Sequence, residues 1–491
     1  MRILHVGFDL RPWVVNGLII HTEDLMKAQA EAGHQVGCFG PGRQLPLIRR
    51  PFLHRCKRGK VRLFEWVNSS LVVGGHLGSP DPDRDLSDPL VEAAFARVLK
   101  AFAPDVVHIQ DLGGLPSSLA GLAGAKGLPV VMTLHDYFSL CPTVKLFDAE
   151  QRICERVRPG EMCVVCCANA PPDNRASLEQ TLRYERGRIR SAVPHLDRAL
   201  RRPALESVGA AAIRLTERAL GLAHLNRGQP PQLGSPELRR TRATAQAYGR
   251  RREENRKRLA QLDALITFSD RSQVVCEQLG VEKLRMRTIR MNPGHIEHLH
   301  PRRDPEIGDP LRFAALNACS STQKGAELIL ETVGELSRRG LDARYRLFVH
   351  GPVAPHVQPA LAAHPAVILS GEYRVAQLDG LLETVDIGLM PSMWEEVYGF
   401  AGLEFLAKGI PVIGNAVGAI PDYVRPGQTG WLNRSCGATE LAELMIAAIE
   451  DPAEVQRLGA RALGLRDELI SPLAVQVAEL SALYDEVLAQ G

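Results

Sequence analysis

One pattern constrains this chain more than any other. Short apolar, β-branched runs each stop at Gly, Ser or Pro and give way to a helical stretch, and they do so in two separate series. The first series holds ILHVGF, HQVGCF, VRLFEWV, PDVVHIQ, PVVMTLHDY and, much later, ALITFS. The second holds LRFAALNA, ARYRLFVHG, AVILSG, VDIGLMPS and IPVIGNA. Strands alternating with helices predict parallel sheets with crossover helices. Two such series in 491 residues predict an α/β chain of two Rossmann-like domains facing each other across a cleft.

The opening unit is strand, then a loop through Pro12, Asn16 and Gly17, then an amphipathic helix from His21 to Ala32 that stops at Gly33. A Pro- and charge-rich stretch, HPRRDPEIGDP, separates the two series and places the boundary near residues 292–310. The expected division is an N-terminal domain over 1–300, a C-terminal domain over 301–465, and a final helix over 466–491.

Charge is uneven along the chain. The whole carries 59 Lys+Arg against 56 Asp+Glu, a net of +3, which excludes a protein that holds nucleic acid by charge alone. Yet residues 171–262 hold 20 basic and 9 acidic side chains, leaving the remainder net acidic. From about Leu178 to Leu262 the chain is rich in Arg, Ala and Leu, which predicts a helical insertion broken near GQPPQLGSPE. Such a segment suits either an anionic partner, a lipid-linked pyrophosphate or the inner face of a membrane, or a solvated Arg-rich hairpin. No run reaches the roughly 20 apolar residues of a membrane span, and MRILHVGFDL lacks the layout of a secretory signal, so a cytoplasmic setting is expected.

Of ten cysteines, Cys141, Cys154, Cys163, Cys166 and Cys167 fall close together. In a chain without a secretion signal they read as metal ligands or reduced thiols before disulfides. Cys141, Cys154, Cys163 and Cys166 could supply four thiolates to a structural zinc ion, or pack as thiols in a loop.

The most informative stretch is PSMWEEVYGFAGLEFLAKGIPVIGNAVGAIP, Pro391 to Pro421. Glu396 is followed eight positions later by Glu404, with Gly399 and Phe400 between them and a Gly409-Ile410-Pro411 turn beyond. Carboxylates accept directional, charge-assisted hydrogen bonds from hydroxyls, which suits a ligand rich in sugar and ribose oxygens. The stretch resembles the donor-binding signature of glycosyltransferase family 4, whose members have the two-domain GT-B fold and retain anomeric configuration. That resemblance implies Glu396 on the donor sugar and Glu404 on the ribose. Phe400, Ala401, Gly402 and Leu403 would open a helix whose amide donors and positive dipole end meet the diphosphate. Glu395 lacks the family's interval and is assigned to the surface.

Further matches extend the resemblance. Lys324-Gly325, closing NACSSTQKG, resembles the pair that holds the diphosphate, although no arginine precedes it in Asn317 to Gln323. Lysine is scarce here, about ten of the 59 basic residues. Asn16-Gly17 sits where the family carries a Gly-Gly loop, and Gly33-His34-Gln35-Val36 resembles the end of the family's first helix. Thr133-Leu134-His135-Asp136-Tyr137 resembles a motif whose histidine, here His135, faces the cleft near the donor sugar. His108 and His350 also end strands, where ligands bind in parallel sheets.

The resemblance implies a retaining, metal-independent transferase that needs no catalytic cofactor. It would move a sugar from a nucleotide-diphosphate donor to a hydroxyl of a glycan or lipid-linked acceptor, in polysaccharide or glycolipid assembly. A nucleotide-sugar epimerase of the same fold and a non-catalytic binding protein are the alternatives.

Overall fold

The structure is a computed structural model that describes residues 1–7, 17–43, 45, 50–69, 71, 78–170, 243–282, 285–303 and 306–490. Asn16 and most of the basic insertion, residues 171–242, lie outside the described residues.

Two sheets carry the fold. The first comprises β1 (Arg2–Val6), β2 (Gln35–Pro41), β3 (Phe52–Arg58), β4 (Val61–Val67), β5 (Val106–Ile109), β6 (Val130–Thr133), β7 (Ala264–Thr267) and β8 (Met286–Thr288). Their order is β3-β4-β2-β1-β5-β6-β7-β8. The second comprises β9 (Leu311–Leu316), β10 (Tyr345–His350), β11 (Val367–Gly371), β12 (Ile387–Met390), β13 (Val412–Asn415) and β14 (Gly430–Asn433), ordered β11-β10-β9-β12-β13-β14. Every pairing is parallel except β3 with β4. Central strands are buried on both faces, as β1, β5, β6, β7, β12 and β13 show, which explains why they read as continuous apolar runs.

The sequence reading did not find three strands, β3, β8 and β14, and all three are edges. An edge strand meets neighbours on one side only, so FLHRCKR can carry His, Arg and Lys and remain half exposed. The antiparallel β3 also corrects the expectation of a purely parallel first sheet.

Helices pack on both faces. The first helix, α1 (Gly17–Glu31), follows β1, and α2 (Pro89–Phe102) precedes β5. Asp88 caps α2 by accepting from Leu90 and Val91 N–H, with Pro89 at its first position. A short helix, α3 (Gly160–Cys166), packs against α4 (Ala245–Ala260).

Helix α4 corrects the picture of the basic segment at its C-terminal end. Arg251 and Arg252 are buried, and Arg251 donates to Asp85 at 2.6 Å and to the Phe138 carbonyl at 2.7 Å. Asn255 donates to the Ser139 carbonyl at 2.8 Å. Through these buried side chains this end of the segment braces the loop after β6, while Arg250 and Lys257 of the same helix remain exposed.

The C-terminal helix α9 (Leu473–Gln490) returns to the first sheet and packs along α1. Between them in sequence run α5 (Asp270–Gln278), α6 (Ala326–Arg338), α7 (Phe400–Ala407) and α8 (Ala438–Glu450), among other elements.

Candidate active site

In each sheet the strand order reverses direction next to a central strand, at β1/β5 in the first and β9/β12 in the second. Crevices outside the carboxyl ends of strands at such points are where open α/β sheets bind ligands. Lys324 lies on the loop leaving β9, and Glu396 lies on the loop leaving β12. The Met393 N–H donates to the Gln323 carbonyl at 2.9 Å, tying the two loops together.

Lys324 Nζ stands 3.1 Å from Glu396 Oε2 and 3.4 Å from Oε1. Two glycines make this approach possible. Gly325 has φ +98° and a Cβ there would stand 2.3 Å from the Pro391 carbonyl oxygen. Gly418 has φ +53° and a Cβ there would stand 2.1 Å from the Glu396 carbonyl oxygen. Ala419 N–H donates to that same carbonyl at 2.8 Å, which fixes the backbone of Glu396.

Helix α7 opens next to this pair. Gly399 caps it in the left-handed region at φ 76°, and Phe400 and Ala401 are half-buried in its first turn. Gly402 packs under Tyr423, whose hydroxyl donates to the Gly399 carbonyl at 3.0 Å. Leu403 is fully buried in the core, which sets it apart from the half-buried Phe400 and Ala401 as a ligand-facing residue. Glu404, in the second turn, accepts from His295 Nε2 at 2.8 Å.

Phe400 reaches the opposite domain. A Cβ on Gly17, the first residue of α1, would stand 2.7 Å from the Phe400 ring. Phe268, after β7, packs edge-on against both His135 and Phe400, with centroids 5.0 Å and 6.1 Å apart. Thus Gly17, His135 and Phe400 gather around one aromatic cluster, while Lys324 and Glu396 form a separate charged pair beside it.

His135 belongs to a buried polar chain. Its Nε2–H donates to Gln110 Oε1 at 2.8 Å, and the Gln110 amide donates to His5 Nδ1 at 3.0 Å. His5 Nε2–H donates to Gln29 Oε1 at 2.7 Å, and Gln29 Nε2 donates to the Tyr484 hydroxyl at 3.2 Å. Tyr484 then donates to His108 Nδ1 at 2.6 Å, and His108 Nε2–H donates to Thr133 Oγ1 at 2.7 Å. Burial pushes His5 and His21 down to about 4 and holds His108 and His135 well below the ordinary histidine range. All four are neutral at pH 7, and His108 is a member of this chain rather than a ligand-facing group.

His350 is also buried, at the end of β10, and neither ring nitrogen finds a partner among the described residues. It lies beside Tyr373, whose hydroxyl accepts from Asn317 at 2.9 Å.

Glu395 requires a correction. It is 1 % exposed rather than a surface residue, and both its oxygens accept from Arg271 of α5 at 2.8 Å. A bidentate guanidinium–carboxylate pair thereby bridges the two sheet domains beside the site. Arg271, His295 and Trp394 carried no sequence signal, because each acts on a partner more than 70 residues away in the chain.

The cysteines of the 141–167 segment are free and, Cys166 apart, buried. Cys163 and Cys167 pack with Tyr248 of α4, and burial pushes the thiols of Cys163, Cys166 and Cys167 up, keeping them protonated. Among the described residues no three His, Cys, Asp or Glu side chains are arranged to hold a metal ion. Among the described residues no helix is long and apolar enough to cross a membrane.

Two family models match the chain. One described as Glycosyltransferase Family 4 covers residues 15–190, and one described as Glycosyl transferases group 1 covers residues 312–451. D-inositol 3-phosphate glycosyltransferase of Corynebacterium glutamicum (strain R) is 28% identical over 195 residues, 38% of this chain and 46% of the relative. The chain spans about half the length of the curated relatives it matches.

Among solved structures, sucrose-phosphate synthase from Thermosynechococcus elongatus superposes with a TM-score of 0.61 at 15% identity, over 100% of both chains. Anabaena Alr3699/HepE in complex with UDP and glucose superposes with a TM-score of 0.52 at 12% identity, over 98% of both chains. These likenesses extend across both sheets. With both halves matched by family models and the two-sheet architecture shared, the chain belongs to glycosyltransferase family 4 and has the GT-B fold.

Proposed function

We propose that the protein is a retaining glycosyltransferase that moves a sugar from a nucleotide-diphosphate donor to an acceptor hydroxyl. The observation that carries this reading is the Lys324–Glu396 pair, held at 3.1 Å between the loops leaving β9 and β12. A lone ion pair in a crevice is a poor source of stability. It is well suited to a ligand that carries an anion for the lysine and hydroxyls for the carboxylate. UDP and glucose occupy the Anabaena relative of this fold, which supports a donor of that class here.

On donor binding Lys324 turns from Glu396 to the diphosphate, and Glu396 is freed to accept from sugar hydroxyls. Glu404, oriented by His295, accepts from the ribose. The acceptor hydroxyl attacks on the face the diphosphate leaves, through an oxocarbenium-like state, and the departing phosphate oxygen takes the hydroxyl proton. Lys324 and the opening amides of α7 stabilise the negative charge that develops on the leaving group. His135, uncharged and fixed by Gln110, sets the other wall of the cleft near the sugar. Closure of the two domains excludes water and favours transfer over hydrolysis.

Polysaccharide or glycolipid assembly at the inner membrane surface is the proposed setting, with the excess of basic over acidic side chains in the insertion suiting an anionic acceptor. A thermal-shift panel of UDP, GDP, ADP and dTDP tests the donor site, because a ligand that binds only the native state stabilises it by mass action. A shift with one base that is lost in Glu404→Ala supports the reading. No shift with any of the four removes it in favour of a non-catalytic protein. Product analysis with donor alone separates transfer from epimerisation.

A further inference from the structure

Trp394 stands two residues before Glu396, and ammonium groups from opposite halves of the molecule lie against its ring. Lys324 Nζ is 5.0 Å from the ring centroid and Lys145 Nζ is 5.4 Å from it. Lys145 comes from the loop between β6 and α3, on the N-terminal side of the cleft. Both lysines feel the same carboxylate, Glu396, but only Lys324 is paired with it. Among the described residues no carboxylate lies within ion-pair distance of Lys145. The Trp394 indole N–H is buried and finds no acceptor among the described residues.

These are costs without a visible return. Burial and the neighbouring Lys324 charge together hold the Lys145 ammonium down to about 8. The backbone on either side is in the left-handed region, Val144 at φ 76° and Leu146 at φ 47°, which is unfavourable for a β-branched residue. Hydrogen bonds pin that conformation: Val144 N–H to the Cys141 carbonyl at 2.9 Å, Tyr137 N–H to the Val144 carbonyl at 3.0 Å, and Cys154 N–H to the Leu146 carbonyl at 2.8 Å. The fold thus holds an unpaired cation and an unpaired N–H donor at the mouth of the Lys324–Glu396 site.

We propose that Lys145 is a second cation for the diphosphate of the nucleotide-sugar donor, reaching it from the opposite domain, with the Trp394 indole N–H donating to the same phosphate oxygens. This rests on the transferase reading given above. The loop from Asn317 to Gln323 brings no basic side chain. Lys324 alone is matched by Glu396, leaving the pair with no net charge to offer a polyanion. Lys145 supplies the surplus positive charge. Because the two lysines belong to different domains, a diphosphate held by both also ties the domains together around the donor.

Phosphate oxygens could also come from a phosphorylated acceptor, and the test separates the two sources. The full chain is titrated calorimetrically with UDP, GDP, ADP and dTDP and with the matching nucleosides, as wild type, Lys145→Gln, Trp394→Phe and Lys324→Ala. Ligand-free melting confirms that each variant is folded. Lys145→Gln should weaken the diphosphate that binds by about tenfold or more and leave the nucleoside unchanged, since a charge-assisted contact is lost. Trp394→Phe should weaken it by roughly two- to fivefold, because it keeps the ring and removes a neutral donor. Wild-type affinity should fall as pH rises through about 8, and that fall should be absent in Lys145→Gln.

Unchanged diphosphate affinity in Lys145→Gln, with Lys324→Ala impaired, overturns the proposal while the transferase reading stands. A raised KM for a phosphorylated acceptor in that case assigns Lys145 to the acceptor instead. If the wild type binds none of the four diphosphates, the transferase reading itself falls and the proposal falls with it.

Discussion

His108 Nδ1 accepts from the Tyr484 hydroxyl at 2.6 Å, although 376 residues separate them in the chain. The contact closes a polar chain that begins at His135 in the cleft and ends at Thr133, passing through the C-terminal helix α9. Each member has one donor and one acceptor role to fill, so the direction of every bond fixes the next. The C-terminal helix thereby holds the tautomer of a cleft histidine.

Tyr484→Phe should therefore be more damaging than an ordinary loss of one hydroxyl. It leaves His108 Nδ1 without its donor and Gln29 without its acceptor, both buried. The expected loss is about 1–3 kcal/mol, the cost of stranding a buried polar group. Urea unfolding measures it, and a change within about 0.5 kcal/mol would show that the chain does not act as a unit.

The same residues set a pH dependence. A histidine whose pKa drops from about 6.5 unfolded to about 4 folded contributes stability that is present above pH 6.5 and lost as pH falls toward 4. His5, His21, His108 and His135 share this sign. Asp136, raised to about 6 by burial, and Asp111, raised well above the usual carboxylate range by burial and by Asp136, have the opposite one, as do Asp24, Asp85 and Asp422. Their native carboxyls take up protons before the unfolded ones do, which partly offsets the loss. His34 and His350 share the histidine sign. The ordinary histidine value lies between pH 7 and pH 5 while the ordinary Asp value lies below that window, so the histidines dominate and the urea midpoint should drop across it. A flat profile would mean that these rings are not desolvated as the structure places them, and Asp136→Asn should steepen the fall.

Arg271→Ala should loosen the two domains. It strips the partner from Glu395, a carboxylate 1 % exposed, and an unpaired buried charge is destabilising. Because Arg271 itself is one-third exposed, the expected cost is about 1–3 kcal/mol rather than the full value for a buried pair. Arg271→Ala with Glu395→Gln should recover part of it, since the double variant buries no charge. A double-mutant cycle with no coupling would remove the bridge as an element of domain contact.

Much of this arrangement was legible in the sequence because it is local. Strands such as β5 and β12 are buried on both faces and announce themselves as apolar runs. Lys324, Glu396 and Glu404 sit at fixed intervals on single loops or helices. Glu395 was misread because a carboxylate beside a motif residue gives no sign of a guanidinium arriving from α5. Edge strand β3 was missed because one open side lets it be as polar as a loop. His295, Lys145 and Tyr484 matter through contacts across domains, and no spacing along the chain encodes those.

His295→Ala isolates one such contact. Glu404 now faces His295 at 2.8 Å, and Tyr373 lies close enough to feel its charge. If His295 only orients Glu404 toward the ribose, the reacting centre beside Glu396 is untouched. Loss of an orienting contact that acts equally on ground and transition states raises KM and leaves kcat nearly unchanged. We therefore expect the donor KM to rise by roughly tenfold, the loss of one hydrogen bond to a charged group, with kcat within about twofold. His295→Gln, which keeps an N–H donor, should restore most of the affinity. A fall in kcat with KM unchanged would instead place His295 in the chemical step.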